Sequence, residues 1–157
     1  MNTDLSVAPE LAQLADPFVP AQHVTAVPRT VGRTAAALTE LAATPQRWWD
    51  LVRFDSAAPV RIPVPGAPGT WLLVLPPGAS AGCDCLQATA LAGEAAEAPG
   101  ERANGGHRTQ QARGGKPSPL RPGRVRVHGA AAPHRLHAAG PGYSVTLHAG
   151  ATSPRSA

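Results

Sequence analysis

Apolar and polar positions change their period part-way along this chain. Val31, Ala35, Leu38, Leu41 and Ala42 recur at helical spacing behind a Thr30 hydroxyl suited to an N-cap, which predicts a helix over 30–43. Thr44 and Pro45 repeat the cap and first-turn signal, predicting a short second helix through Trp48, Trp49, Leu51 and Val52 whose Trp rings close one end of the fold. From Pro59 the period becomes two. Val60, Ile62 and Val64 alternate, TWLLVL at 70–75 is an apolar run between Pro-Gly turns, and the two should pair across 65–69. Further strands are expected over 88–92 with a turn at Gly93, over the alternating Arg124 to His128, over 134–137 and over 143–149. Short strands about 8 to 12 residues apart, separated by Gly and Pro, predict a mostly β sandwich or barrel with a short helical N-terminal region.

Three stretches lack such a pattern. Residues 1–29 are broken by Pro9, Pro17, Pro20 and Pro28 and read as an irregular leader before the helical region at 30–56. Glu97 to Pro119 contains no Leu, Ile, Val or aromatic residue, so it is expected to be a disordered insertion within a β domain spanning 57–149. The small polar tail at 150–157 should fray.

Composition narrows the picture. A chain of 157 residues suits one domain, and its apolar residues are mostly Ala with only two Phe, one Tyr and three Trp, so the core must be modest and built from Val and Leu. With 18 Pro and 16 Gly, long helices are disfavoured. The net charge of +4 hides an asymmetry: residues 1–97 carry net −4 and residues 98–157 net +8. Of the 14 basic residues 13 are Arg, and none is interleaved with aromatic rings that could stack bases, so a solvated basic face is expected and no nucleic-acid partner. The acidic N-terminal stretch with Asp4, Glu10 and Asp16 is unlike a signal peptide, and no apolar run approaches the roughly 18 residues that cross a bilayer, so a cytoplasmic location without membrane contact is expected. Cys83 and Cys85 are too close in sequence for an unstrained disulfide and read as two reduced thiols.

Candidate chemistry lies near the C-terminal strands. His134, His137 and His148 fall within fifteen positions on two strands expected to be neighbours, where imidazoles can converge or simply be hydrogen-bonded core and surface groups. His23 and His107 sit in irregular segments.

The stretch PLRPGRVRVHGAAAPHRLHAAGPGYSVTLHA at 119–149 resembles the C-terminal strands of the cysteine dioxygenase family, thiol dioxygenases of the cupin superfamily. His134, Ala138 and Gly140 fall on that family's His, Asn and Gly, and Thr146, His148 and Gly150 on its Ser, His and Tyr. RWWDLVRFD at 47–55 and the run Arg61 to Leu73 followed by PPG are similar to its helical end and first strands, so the likeness extends over about residues 34 to 149 apart from the insertion. The resemblance implies a small cupin-type (jelly-roll) β-barrel. It also implies an Fe(II) ion that adds dioxygen to the sulfur of cysteine, giving the sulfinate. By that likeness His134 is a metal ligand, Arg61 binds the substrate carboxylate, and Thr146 and His148 are the surviving members of a hydrogen-bonded relay supporting the site.

The sequence departs from the family where the other two ligands belong. Gly82-Cys83-Asp84-Cys85-Leu86-Gln87 replaces a His-Asp-His-Gly loop, so two of the three ligand histidines are absent, and Gly150 replaces the relay Tyr. Cys83 and Cys85, with His134 and Asp84, are alternative metal donors of a softer kind, suited to zinc or copper; otherwise they are two small buried thiols in a shortened turn. Three functions follow: an iron-dependent thiol dioxygenase, a catalytically silent cupin with no metal bound that serves as a binding or structural protein, and a Cys-based metal or redox site.

Overall fold

Thr30 stands in extended geometry and its hydroxyl accepts the Arg33 amide at 3.3 Å, starting helix α1 over Val31–Ala42. Leu38 and Leu41 form its buried stripe, whereas Val31 remains 58% exposed. The expected second helix is instead two 3₁₀ turns, Pro45–Arg47 and Trp49–Leu51. Thr44 does not cap them, because its hydroxyl donates to the Glu40 carbonyl at 2.8 Å and so finishes α1. Nor do both Trp rings seal an end of the fold. Trp48 is buried beside α1, donating from Nε1 to the Leu41 carbonyl at 3.0 Å, while Trp49 is half exposed.

The computed structural model describes residues 30–100, 116–128 and 133–150. Nine strands follow the helical region: β1 Val60–Pro63, β2 Thr70–Leu75, β3 Ser80–Cys83, β4 Gln87–Ala92, β5 Ala95–Pro99, β6 Ser118–Pro119, β7 Arg126–Val127, β8 His134–Ala138 and β9 Ser144–Ala149. They form two sheets of antiparallel pairs, ordered β1-β2-β9-β4-β7 and β3-β8-β5-β6, an arrangement compatible with a jelly roll. The expected barrel does not close by hydrogen bonds among the described residues; the two sheets face each other. No helix among these residues is long and apolar enough to cross a membrane.

Sequence periodicity located β1, β2, β4, β8 and β9 within a residue or two, and three strands, β3, β5 and the short β6, escaped it. β3 and β5 are built of Ser, Ala, Gly, Cys, Glu and Pro, and they lie on either side of β8, which supplies the pairing that their side chains do not advertise. Glu97–Pro99 and Ser118–Pro119 are therefore strand, although they belong to the segment expected to be a loop. The alternating Arg124 to His128 contributes only the two residues of β7. The leader over 1–29 lies outside the described residues, as do most of the insertion and the tail.

Because side chains alternate along a strand, the five-stranded sheet has two apolar faces. Leu72, Val74, Val145 and Leu147 turn outward beneath Leu38, Leu41, Trp48 and Val52 of the helical region. Trp71, Leu73, Leu75, Ala88 and Ala90 turn inward to meet Cys83, Ala95, Leu136 and Ala138 of the other sheet. Gly93 makes the β4–β5 turn at φ 70°, and a Cβ there would strike the Tyr143 carbonyl, so only glycine fits. Leu72 is fully buried between helix and sheet, and Leu72→Ala is expected to destabilise the protein by about 3 kcal/mol, read as a lower urea midpoint at unchanged slope.

Candidate metal centre

Between β3 and β4 the chain passes from one sheet to the other in residues 84–86. Cys83, the last residue of β3, pairs with His134 on β8, so both belong to the four-stranded sheet and face its inner side. Cys83 thus ends a strand rather than sitting in a turn. On the other sheet His148 pairs with Trp71 of β2 and with Ala88 of β4, and it too faces inward. Cys85 stands in the crossing, only 1% exposed. The Leu86 amide donates to the Ala149 carbonyl at 2.9 Å and the Leu86 carbonyl accepts the His128 amide at 2.8 Å, which fixes the crossing against β9 and β7. Gly150 makes this approach possible: a Cβ there would lie 2.9 Å from the Leu86 nitrogen and 3.1 Å from the Cys85 Cα. The residue standing where the resemblance has its relay Tyr is therefore required to be small here.

The outcome is a buried cluster of sulfur and imidazole. Cys85 Sγ lies 3.2 Å from His134 Nε2 and 3.2 Å from His148 Nδ1, and Cys83 Sγ lies 3.5 Å from His148 Nδ1. His148 Nε2 is 2.7 Å from Thr146 Oγ1, which is 3.3 Å from the Leu73 carbonyl. A carbonyl only accepts, so the single hydroxyl proton of Thr146 points there and the hydroxyl receives the Nε2 proton of His148. That pairing leaves Nδ1 of His148 as a lone pair aimed at the two sulfurs. Trp71 stacks on the same ring with centroids 5.6 Å apart and holds its tilt.

A second imidazole pair adjoins the first. His128 and His134 stack with ring centroids 4.1 Å apart. Glu97, buried on β5, accepts from His128 Nδ1 at 3.1 Å and from Arg126 at 3.1 Å, and it lies 3.9 Å from His134 Nδ1. Burial pulls the His128 pKa down, opposed by the Glu97 charge, so the neutral ring is favoured. Cys83 is drawn strongly toward the thiolate, first by its hydrogen bond with Cys85, while that same bond and burial push Cys85 up.

Two triads of these residues have ligand atoms within 4.8 Å of one another and could hold a metal ion: Cys83, Cys85 and His148, and Cys85, His128 and His134. An ion with metal–sulfur bonds of about 2.3 Å and metal–nitrogen bonds of about 2.0 Å in tetrahedral geometry separates its S and N donors by about 3.5 Å. The sulfur–nitrogen distances of 3.2 to 3.5 Å are close to that spacing. The donor set does not fit the three-histidine ferrous site that the resemblance implies, because two of its members are thiols, which prefer softer ions.

Other expected site residues lie around the cluster. Arg61, exposed on edge strand β1, pairs with Leu73 and so faces the inner side of the sheet, its guanidinium carbon 3.9 Å from the centroid of the Trp71 ring that stacks on His148. Asp84 points to solvent between the two inward cysteines. His134 and His148 are not on neighbouring strands; they come from opposite sheets. His137, an odd number of positions from His134, takes the other face of β8, and His23 and His107 fall outside the described residues. Sequence reasoning passed over His128 and Glu97. Strict alternation did put Arg126 and His128 on one side of their strand, but only the folded chain brings Glu97 against both.

No protein-family model and no curated protein sequence matches the chain. Among solved structures it is similar to TT1209 from Thermus thermophilus, with 21% identity over 65% of this chain and 92% of that one and a TM-score of 0.47. It is also similar to an uncharacterized conserved protein with a double-stranded β-helix domain from Klebsiella pneumoniae, with 18% identity over 63% of this chain and 81% of that one and a TM-score of 0.45. A cupin superfamily protein from Desulfitobacterium hafniense shares 13% identity over 66% of this chain and 88% of its own, with a TM-score of 0.43. None of these three is named as a thiol dioxygenase.

Thr146→Val keeps the shape of the side chain and removes the hydroxyl, leaving His148 Nε2 unpartnered in the interior. The substitution is expected to cost about 1 to 3 kcal/mol in chemical denaturation.

Proposed function

We propose that this protein is a cupin-type metal-binding protein whose ion is held by thiolate and imidazole rather than by three histidines. One observation carries the reading: Cys85 Sγ lies 3.2 Å from ring nitrogens contributed by both sheets, with Cys83 beside it. In this reading Cys83, Cys85 and His148 are the first donors and His134 the next. Thr146 and Trp71 position the His148 ring as outer partners of a metal-bound imidazole do. Two sulfur donors with imidazole select zinc or cuprous copper over ferrous iron. Such an ion neutralises the thiolates and ties the two sheets together, so its chemistry is structural unless a position stays open to a substrate.

A thiol dioxygenase that converts cysteine and dioxygen to the sulfinate is the second reading. It draws support from the likeness at residues 119–149 and from the Thr146–His148 pair at 2.7 Å. Arg61 lies on the same inner face as His148, resting on the Trp71 ring that stacks against it. Against this reading stand the sulfur donors of the cluster.

Elemental analysis of the protein purified without added chelator should find zinc or copper, and Cys85→Ser should reduce the bound ion by about tenfold or more, because a serine hydroxyl is a poor ligand for either. Metal content unchanged by Cys85→Ser would overturn the proposal. Loading the chain anaerobically with Fe(II) and supplying cysteine and dioxygen should give no sulfinate above the protein-free control; sulfinate formed stoichiometrically with iron would establish the second reading instead.

A further inference from the structure

The single-ion reading leaves one buried group unused. His128 has a side chain only 8% exposed, its Nδ1 is engaged by Glu97 at 3.1 Å, and its Nε2 is buried with no hydrogen-bond partner. A carboxylate only accepts from an imidazole in this pairing, so the proton is on Nδ1 and Nε2 presents a bare lone pair to the interior. Leaving such an atom unsatisfied is costly, and a carboxylate holding the far nitrogen of a histidine is the usual support of a metal ligand. The ligand atom of His128 lies within 4.8 Å of those of Cys85 and His134.

We propose that the core holds two metal ions, with the Cys85 sulfur bridging them: the first bound by Cys83, Cys85 and His148, the second by Cys85, His134 and His128. This inference rests on the metal-binding reading above and extends it. Cys85 belongs to both triads, and a thiolate sulfur has lone pairs enough to serve two ions. Charge favours two ions when they are monovalent. When Cys83 and Cys85 are ionised, they and Glu97 place three negative charges in the interior, and Arg126 on Glu97 returns one positive charge. Two monovalent ions such as Cu(I) balance the remaining two negative charges, whereas a single one leaves the interior anionic. The stacked His128 and His134 rings, 4.1 Å apart, keep the second pair of nitrogens on one side of the cluster.

Titration of the metal-free, reduced protein with Cu(I) under anaerobic conditions against a chromophoric chelator should reach two ions per chain, and elemental analysis after desalting should agree. His128→Ala should reduce this to one. Glu97→Gln should keep the first ion and weaken the second about 10- to 100-fold. Circular dichroism of each variant checks the fold; should His128→Ala not fold, Glu97→Gln carries the comparison. Saturation at one ion per chain, or two ions bound as tightly by both variants as by the parent chain, would overturn the two-ion proposal and leave the single-ion reading standing. No Cu(I) and no Zn(II) bound at any concentration would overturn both.

Discussion

The chain crosses from one sheet to the other in three residues, Asp84 to Leu86, and the position of Cys85 in that crossing organises the interior. Facing sheets pack about 10 Å apart, so three nearly extended residues just span the gap and the middle one is held between the layers. Its sulfur then meets ring nitrogens from both sides. The crossing can pass so close to β9 because Gly150 offers no side chain to obstruct it, and it is fixed there by the two backbone hydrogen bonds of Leu86.

A polar cluster of this kind would be costly in a core of Ala, Leu and Val if its members were unpartnered. Most are not. Thr146 takes the Nε2 proton of His148, Glu97 takes the Nδ1 proton of His128, and Arg126 offsets the Glu97 charge from the rim. Each of these bonds also decides which nitrogen of its histidine turns inward without a proton. Hydrogen bonding on the outside of the cluster thereby sets the donor chemistry on the inside, as in metal sites whose ligands are oriented by a surrounding layer of acceptors. The single His128 nitrogen left without a partner is the exception that asks for a cation.

Much of the frame was legible in the chain because it depends on local signals. TWLLVL between two Pro-Gly turns could only be a buried strand, and Thr30 capped α1 as its position suggested. β3 and β5 were not legible, since Ser-Ala-Gly-Cys and Ala-Ala-Glu-Ala-Pro have no apolar alternation and become strands by pairing with β8 between them. The second helix failed for a related reason: Thr44 spent its hydroxyl on the preceding turn, and the Trp48 ring was drawn back onto α1.

Residue types and spacing alone singled out Cys83, Cys85, His134 and His148 as chemically notable. That much is a property of the covalent chain. Which of those groups meet was decided by tertiary structure, because facing sheets join residues up to 65 positions apart and a one-dimensional period cannot say which layer each strand enters. For the same reason His137 was turned to the opposite face, and His128 and Glu97 were brought into the cluster.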